Sequence, residues 1–305
     1  MLNTKQIVEV AWKNGFVIPA FNIPYLPMVK PVVEAVRDEN SFALVQVARL
    51  EWIKFESKSL KAVRDEYASW KDEEHVRLHL DHVPVIDEDN LHVDYISIIK
   101  EAIGLGYQSL MVDGSRLDLE ENIRATKEVC TLAHQANLPC EAELGAVLGH
   151  ESGPMPSYDE IFESGRGFTQ AAEAGRFVKE TGCDWLSVAI GNIHGAISEA
   201  ARGQVKPAAR LNIDHLKELK NVTGIPLVLH GGSGVKKEFV MDAIRNGIAK
   251  INVGTEIRQA YEKAMDQGSV EAAREAVYYR TREIIKAYFE ISGTAETIKK
   301  AAASI

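Results

Sequence analysis

No stretch of this chain approaches the ~20 consecutive apolar residues of a membrane-spanning helix, and Met1–Gly15 has neither a long apolar core nor a small-residue cleavage site. Both absences lead to the expectation of a cytoplasmic protein with no membrane partner. Cysteine is scarce: Cys130, Cys140 and Cys183 are odd in number, widely spaced and without a CxxC pair. Neither a disulfide framework nor a thiolate zinc site is indicated, and the three thiols are expected to be buried, reduced packing residues. Basic charge is also short. With 35 Lys and Arg against 44 Asp and Glu the formal net charge is −9, the wrong sign for a general nucleic-acid binder. A local cation cluster for an anionic substrate stays open. No internal repeat or low-complexity tract stands out.

What is present is a chain of 305 residues, 46% hydrophobic, with ample material for a core. Eight short apolar runs read as strands: Gly15–Asn22, Phe42–Ala48, Val76–His82, Ser109–Ser115, Leu138–Gly145, Trp185–Gly191, Pro226–His230 and Ile248–Val253. Helical segments separate them. Met28–Asp38 has Val29, Val32, Val33 and Val36 at helical spacing, and Trp52–Lys71 reads as one covering helix. Asp94–Leu105, Leu119–Ala136, Thr169–Glu180, Ile213–Val222, Lys236–Asn246 and Thr255–Ala264 continue the alternation. Ala146–Phe168, rich in Gly, Pro and Ser, reads as a long loop of the kind that covers active sites. Nearly all-apolar strands alternating with helices call for a parallel sheet covered by helices. Eight units with polar residues at the strand ends favour a closed (β/α)8 TIM barrel over a doubly wound sheet. The whole chain, 1–305, is then one domain. Ala272–Phe289 and Ala295–Ala303 are extra C-terminal helices that cap the barrel or meet a partner subunit.

Asn22, Asp81–His82, Glu143, His194, His230 and Asn252 each close or follow one of the apolar runs. In a parallel barrel all those ends point to one face, where such enzymes do their chemistry. Taken singly, His82, His194 and His230 each have a bland reading as a hydrogen-bonded core or loop residue. Together they suit a catalytic metal site, which takes three protein ligands and keeps a position open. Asp81 and His82 are neighbours, and on a regular strand they face opposite ways. For both to share one site the pleat must break there. His79 lies on the face of Asp81 and could support it, whereas His75, His92, His134 and His215 read as surface or helix residues.

His230–Gly234, HGGSG, runs into a helix, and converging backbone N–H groups at a helix N-terminus suit a phosphate. Such a turn is often only a turn. Here Asn252–Thr255 (NVGT) follows the eighth strand, so the two segments match the usual phosphate location of a barrel. Glu143 and Glu151 flank the start of the long loop, where a lone Glu is usually just solvated. A metal, a phosphate cradle and an acid suit the formation and protonation of an enolate, although metal-assisted hydrolysis uses the same parts.

PAFN (Pro19–Asn22), HLDH (His79–His82), VDGS (Val112–Ser115), EENIRATKEV (Glu120–Val129), EAELG (Glu141–Gly145), IGNIHG (Ile190–Gly195) and LVLHGGSG (Leu227–Gly234) together resemble the class II, metal-dependent ketose-bisphosphate aldolases. The motifs keep the family's order, and the resemblance runs from about Gly15 to Arg258. It implies a (β/α)8 barrel and a lyase that reversibly cleaves a phosphorylated ketose to dihydroxyacetone phosphate and an aldehyde through a metal-stabilised enediolate. It also implies one divalent metal per subunit, usually Zn2+, with a monovalent cation as a further candidate, and a homodimer or homotetramer. By this resemblance His82, His194 and His230 would hold the metal, with Glu143 an alternative ligand or support. Asp81 would deprotonate the C4 hydroxyl in cleavage and protonate the aldehyde oxygen in condensation. Glu151 would exchange the C3 proton. Gly195, Gly231, Ser233, Asn252 and Thr255 would bind the donor phosphate, Gly254 is a further substrate-binding candidate, and Asn22 would touch the donor end.

Some positions depart from the family's pattern. Gln46–Val47–Ala48–Arg49 stands where a Ser is common after the second strand, Ser198 where a Lys is common, and Gly254 where fructose-bisphosphate members often carry Asp. Val83–Pro84 rather than Gly follows HLDH. Donor chemistry is expected to be intact and the acceptor pocket altered, with Arg49, Glu51 and Arg166 as candidates for reading a different aldehyde. The competing classes are a metal-dependent hydrolase or isomerase on the same barrel and a non-catalytic phosphosugar-binding homologue. The intact Asp81–His82 pair speaks against both.

Overall fold

A computed structural model describes residues 1–145, 158–192, 210–232 and 235–304. Its strands are β1 (Ile18–Asn22), β2 (Ala43–Ala48), β3 (Val76–Pro84), β4 (Ser109–Asp113), β5 (Cys140–Leu144), β6 (Trp185–Val188), β7 (Leu227–Leu229) and β8 (Ile248–Val253). They pair in sequence order, all parallel, and β1 closes on β8 with Ala20 opposite Asn252. The expected eight-stranded barrel is present, at the expected places in the chain. The helices are α1 (Thr4–Asn14), α2 (Val29–Asp38), α3 (Arg49–Lys54), α4 (Leu60–Trp70), α5 (Tyr95–Leu105), α6 (Leu119–Gln135), α7 (Tyr158–Ser164), α8 (Ala171–Thr181), α9 (Ile213–Thr223), α10 (Lys237–Arg245), α11 (Thr255–Gln267), α12 (Val270–Glu283) and α13 (Thr294–Ala303). No helix among the described residues is long and apolar enough to cross a membrane.

Four segments differ from the sequence reading, each for a local reason. The first 14 residues hold α1, nucleated by a capping box in which Asn3 and Gln6 exchange hydrogen bonds. Gly15 ends that helix at φ 68°, a left-handed conformation that suits glycine, so β1 starts at Ile18 rather than Gly15. Trp52–Lys71 is not one helix. The chain leaves α3 at Phe55, passes Lys58 at φ 67°, and starts α4 afresh with the Ser59 side chain accepting from the Ala62 N–H. Within Ala146–Phe168 the described part forms α7, and α12 runs into a widened π turn at Ile284–Tyr288. His75, read as a surface residue, is buried, with Nδ1 at 2.9 Å from the Ser41 carbonyl oxygen. Cys130, Cys140 and Cys183 are free and buried, as expected.

Strand alternation splits the core into two parts. Outward side chains such as Phe21, Val45, Leu78 and Leu80 pack under the helices. A second cluster, with Ile18, Ala20, Leu44, Trp185 and Val228, meets Leu2, Ile7, Val8 and Ala11 of the N-terminal segment, so α1 closes the N-terminal mouth with hydrocarbon. The other mouth is left for polar side chains.

Candidate active site

The site grows from the same alternation continued one step further along each strand. Inward positions pass from Ile18 and Ala20 to Asn22 on β1, from Leu44 to Gln46 on β2, and from His79 to Asp81 on β3. On β5 they are Glu141 and Glu143, and on β8 they are Lys250 and Asn252. β3 then breaks its pleat. Its register with β4 shifts between Leu80 and Val83, and His82 takes φ 28°. Positive φ is uncommon outside glycine, though His is among the residues that tolerate it. The bulge turns His82 to the side of Asp81, which resolves the difficulty posed by their adjacency.

His82 and His230 face each other with ring centroids 4.5 Å apart. His82 Nδ1 lies 3.2 Å from Asp113 Oδ2 and 3.9 Å from Glu143 Oε2. His230 Nδ1 lies 3.1 Å from the same Glu143 oxygen, and its Nε2 lies 2.9 Å from Glu141 Oε1. Candidate ligand atoms of Asp81, His82 and His230 lie within 4.8 Å of one another, and so do those of His82, Asp113 and Glu143. Imidazole nitrogens and carboxylate oxygens converging from four strands are a donor set that fits a divalent transition metal such as zinc. Carboxylates behind the rings, in this chain Asp113 and Glu141, are the usual means of orienting metal-binding imidazoles.

Asp81 is held at both oxygens. Asn22 Nδ2 donates to Oδ2 at 2.9 Å, and Asn252 Nδ2 donates to Oδ1 at 2.9 Å. Gln46 Nε2 donates to Asn22 Oδ1 at 2.8 Å, and Lys250 Nζ donates to Asn252 Oδ1 at 2.7 Å. Burial alone would raise the Asp81 pKa, but the positive fields of His82, Lys250 and His230 hold it well below the usual carboxylate range. Burial likewise opposes charge on His82, yet Asp81, Asp113 and Glu143 push it up to about 10. Glu141, also buried, is drawn down to about 2, chiefly by Lys250 and His230. Glu51 goes the other way. Burial, opposed by a hydrogen bond from the Ala48 N–H and reinforced by Asp81, raises it to about 8.

The motifs explain one another in space. Asn122, from EENIRATKEV, donates from Nδ2 to the Glu143 carbonyl oxygen at 3.0 Å and fixes the end of β5. Gly114, from VDGS, leaves room for it: a Cβ there would sit 2.2 Å from Asn122 Oδ1.

Of the residues singled out in the sequence, the structure brings Asn22, Asp81, His82, Glu143, His230 and Asn252 to one mouth. Gly231 follows His230 at φ 64°, while Gly254 and Thr255 form the N-terminus of α11, with Gly254 beside Asn22. Glu151, His194, Gly195 and Ser233, together with Ser198, lie outside the described residues. Of the proposed aldehyde readers, Arg49 pairs with Asp87 at 3.4 Å, Glu51 is buried beside Asn22, and Arg166 is exposed. Sequence reasoning assigned no role to Asp113, Glu141 or Lys250. A signal was there: Glu141 precedes Glu143 by two, Lys250 precedes Asn252 by two, and each is an ionisable group inside an apolar strand.

A closed barrel with histidines and acids gathered at its C-terminal mouth defines a metal-assisted enzyme of the TIM-barrel kind. Residues 2–303 match the family model described as fructose-bisphosphate aldolase class-II. A fructose-bisphosphate aldolase of Streptococcus pyogenes serotype M3 is 33% identical over 267 residues, 87% of this chain and 82% of its own length. The YdjI aldolase of Escherichia coli K12 superposes with a TM-score of 0.75 at 29% identity, covering 97% of this chain and all of that one. A fructose-bisphosphate aldolase of Campylobacter jejuni gives a TM-score of 0.69 over 96% of each chain, and at 19% identity it speaks to the fold alone. The chain belongs to the class II fructose-bisphosphate aldolase family. It is a lyase that cleaves a carbon–carbon bond by the aldol reaction, in a family that is metal-dependent.

Proposed function

We propose that this enzyme splits a phosphorylated ketose reversibly into dihydroxyacetone phosphate and an aldehyde. The observation that carries this reading is the convergence of His82, His230 and Glu143 beside an Asp81 carboxylate held as an anion. His82, His230 and His194 would hold a zinc ion, with Glu143 an alternative ligand or support. Zinc in such a place supplies Lewis acidity for oxyanion charge that develops on the substrate. Asp81, an acceptor at both oxygens, takes the proton of the C4 hydroxyl as the bond to C3 breaks, and returns it to the aldehyde oxygen in condensation. General acid–base steps of this kind contribute ~10²–10⁴-fold. Glu151 exchanges the C3 proton of the donor. Gly195, Gly231, Ser233, Asn252, Gly254 and Thr255 bind the donor phosphate, with Gly254 and Thr255 supplying the helix start that favours an anion. Asn22 touches the donor end.

The acceptor side differs from the family's common pattern. Gln46, within β2, and the buried Glu51, just after it, stand on that side, so the aldehyde partner is one other than that released from fructose 1,6-bisphosphate. We assign the chain one domain over 1–305, a homodimeric or homotetrameric state and a cytoplasmic location. The test is a panel of phosphorylated ketoses offered to zinc-loaded protein, chelator-stripped protein and Asp81→Ala, with release of dihydroxyacetone phosphate as the readout. Release with zinc alone, abolished in Asp81→Ala although metal is retained, supports a metal-held donor and an Asp81 proton acceptor. Normal cleavage by Asp81→Ala removes Asp81 from the mechanism.

A further inference from the structure

Lys250 and Glu141 are fully buried in the barrel wall, with Lys250 Nζ 2.9 Å from Glu141 Oε2. A buried ion pair is a poor stabilising device, because the desolvation of both charges offsets most of their attraction. Its connections suggest another use. Ammonium has donors only, so the oxygen of Asn252, 2.7 Å from Lys250 Nζ, must face the lysine. The NH2 of Asn252 is thereby turned to Asp81 Oδ1. Asn22 is fixed in the same sense from the other side. Its NH2 lies between two acceptors, Asp81 Oδ2 at 2.9 Å and Glu51 Oε2 at 3.4 Å, and its oxygen takes the Gln46 Nε2 hydrogen bond.

We propose that Lys250 and Gln46 are positioning residues that lock the Asn252 and Asn22 amides, so that each gives one N–H to one oxygen of Asp81. The carboxylate is thereby held in a single orientation. Through Glu141, whose other oxygen lies 2.9 Å from His230 Nε2, the same network ties that orientation to a candidate metal ligand. The proposal rests on the assignment of Asp81 to the C4 hydroxyl, and it separates two half-reactions. Donor proton exchange does not use Asp81, whereas C–C cleavage does.

The experiment combines kinetics with NMR of metal-free protein labelled with 15N at asparagine. Lys250→Met should expose the Asn252 side-chain amide protons to solvent exchange, and Gln46→Met should do so for Asn22. Both variants should lower cleavage by about 10–100-fold, the cost of a small misplacement of a reacting group, while C3 proton exchange at saturating dihydroxyacetone phosphate stays near the wild-type rate, any loosening of the donor contacts of Asn252 and Asn22 appearing in KM alone. If amide protection is unchanged in the variants, or cleavage and donor exchange fall in parallel, the clamp is wrong. Gln46→Met introduces no unpaired buried charge, so it decides the matter if Lys250→Met fails to fold. If the wild type neither cleaves nor exchanges, the aldolase reading fails, and amide protection still decides whether the clamp exists.

Discussion

At the N-terminal mouth of the barrel, Ile18, Ala20, Leu44, Trp185 and Val228 close the interior with hydrocarbon under the plug of α1. At the C-terminal mouth the barrel presents Asn22, Gln46, Asp81, Glu143, His230 and Asn252. Only a few residues along each strand separate the two. The first set gains from burial; the second loses hydration by it and is held by hydrogen bonds and opposed charge. The contrast teaches that one end of the barrel keeps the fold and the other carries the chemistry, and each end can be disturbed with different consequences.

The largest effect is expected from His82. His82→Asn, chosen because Asn tolerates positive φ, should weaken zinc by more than the ~10–100-fold that loss of a supporting partner costs. Thermal unfolding of the metal-free protein should also shift downward, because Asp81, Asp113 and Glu143 lose the positive charge between them, so zinc affinity of the folded protein is the deciding readout. Zinc affinity equal to wild type in a chelator competition would break the assignment.

At the opposite mouth, Trp185→Ala should destabilise the protein by about 3–5 kcal/mol in denaturant unfolding. Zinc affinity of the folded molecules should be unchanged. A loss of zinc without a loss of stability would mean that the two ends are not separable.

A smaller effect sharpens the comparison at Glu51. Its pKa, ordinarily 4.5, rises to about 8 in the folded protein, so the folded state keeps a proton that the unfolded chain releases. Its contribution to stability is full below pH 4.5 and is lost as pH rises through about 8. Glu51→Gln, which keeps an acceptor for the Ala48 N–H, should therefore stabilise the metal-free protein by on the order of 5 kcal/mol above pH 8, and little at pH 4. A gain independent of pH would show that Glu51 is ionised throughout.

The barrel itself was legible because strand and helix periods differ, and because most of the eight apolar runs end in or lead to polar residues. The need for a broken pleat at Asp81–His82 could also be read from adjacency, whereas the left-handed turn at His82 that meets it could not. Pairings across the barrel were not legible. Glu141 and Lys250 are far apart in the chain and meet only because β5 and β8 face one another through the interior. Trp52–Lys71 misled for a different reason: its helical composition hides the restart at Ser59, where a side-chain cap outweighs propensity. Asn3 and Gln6 carry the capping-box spacing that starts α1, but a capping box marks where a helix begins and not which mouth of the barrel it will plug.

The most direct test of the account is proton exchange at C3 of dihydroxyacetone phosphate in D2O, followed by NMR with zinc-loaded and chelator-stripped protein. It requires no knowledge of the aldehyde. Exchange that depends on zinc and survives in Asp81→Ala is the result expected of a donor site built on His82 and His230, with Asp81 reserved for the acceptor. Absence of exchange with zinc bound would contradict dihydroxyacetone phosphate as the donor and, with it, the proposed reaction.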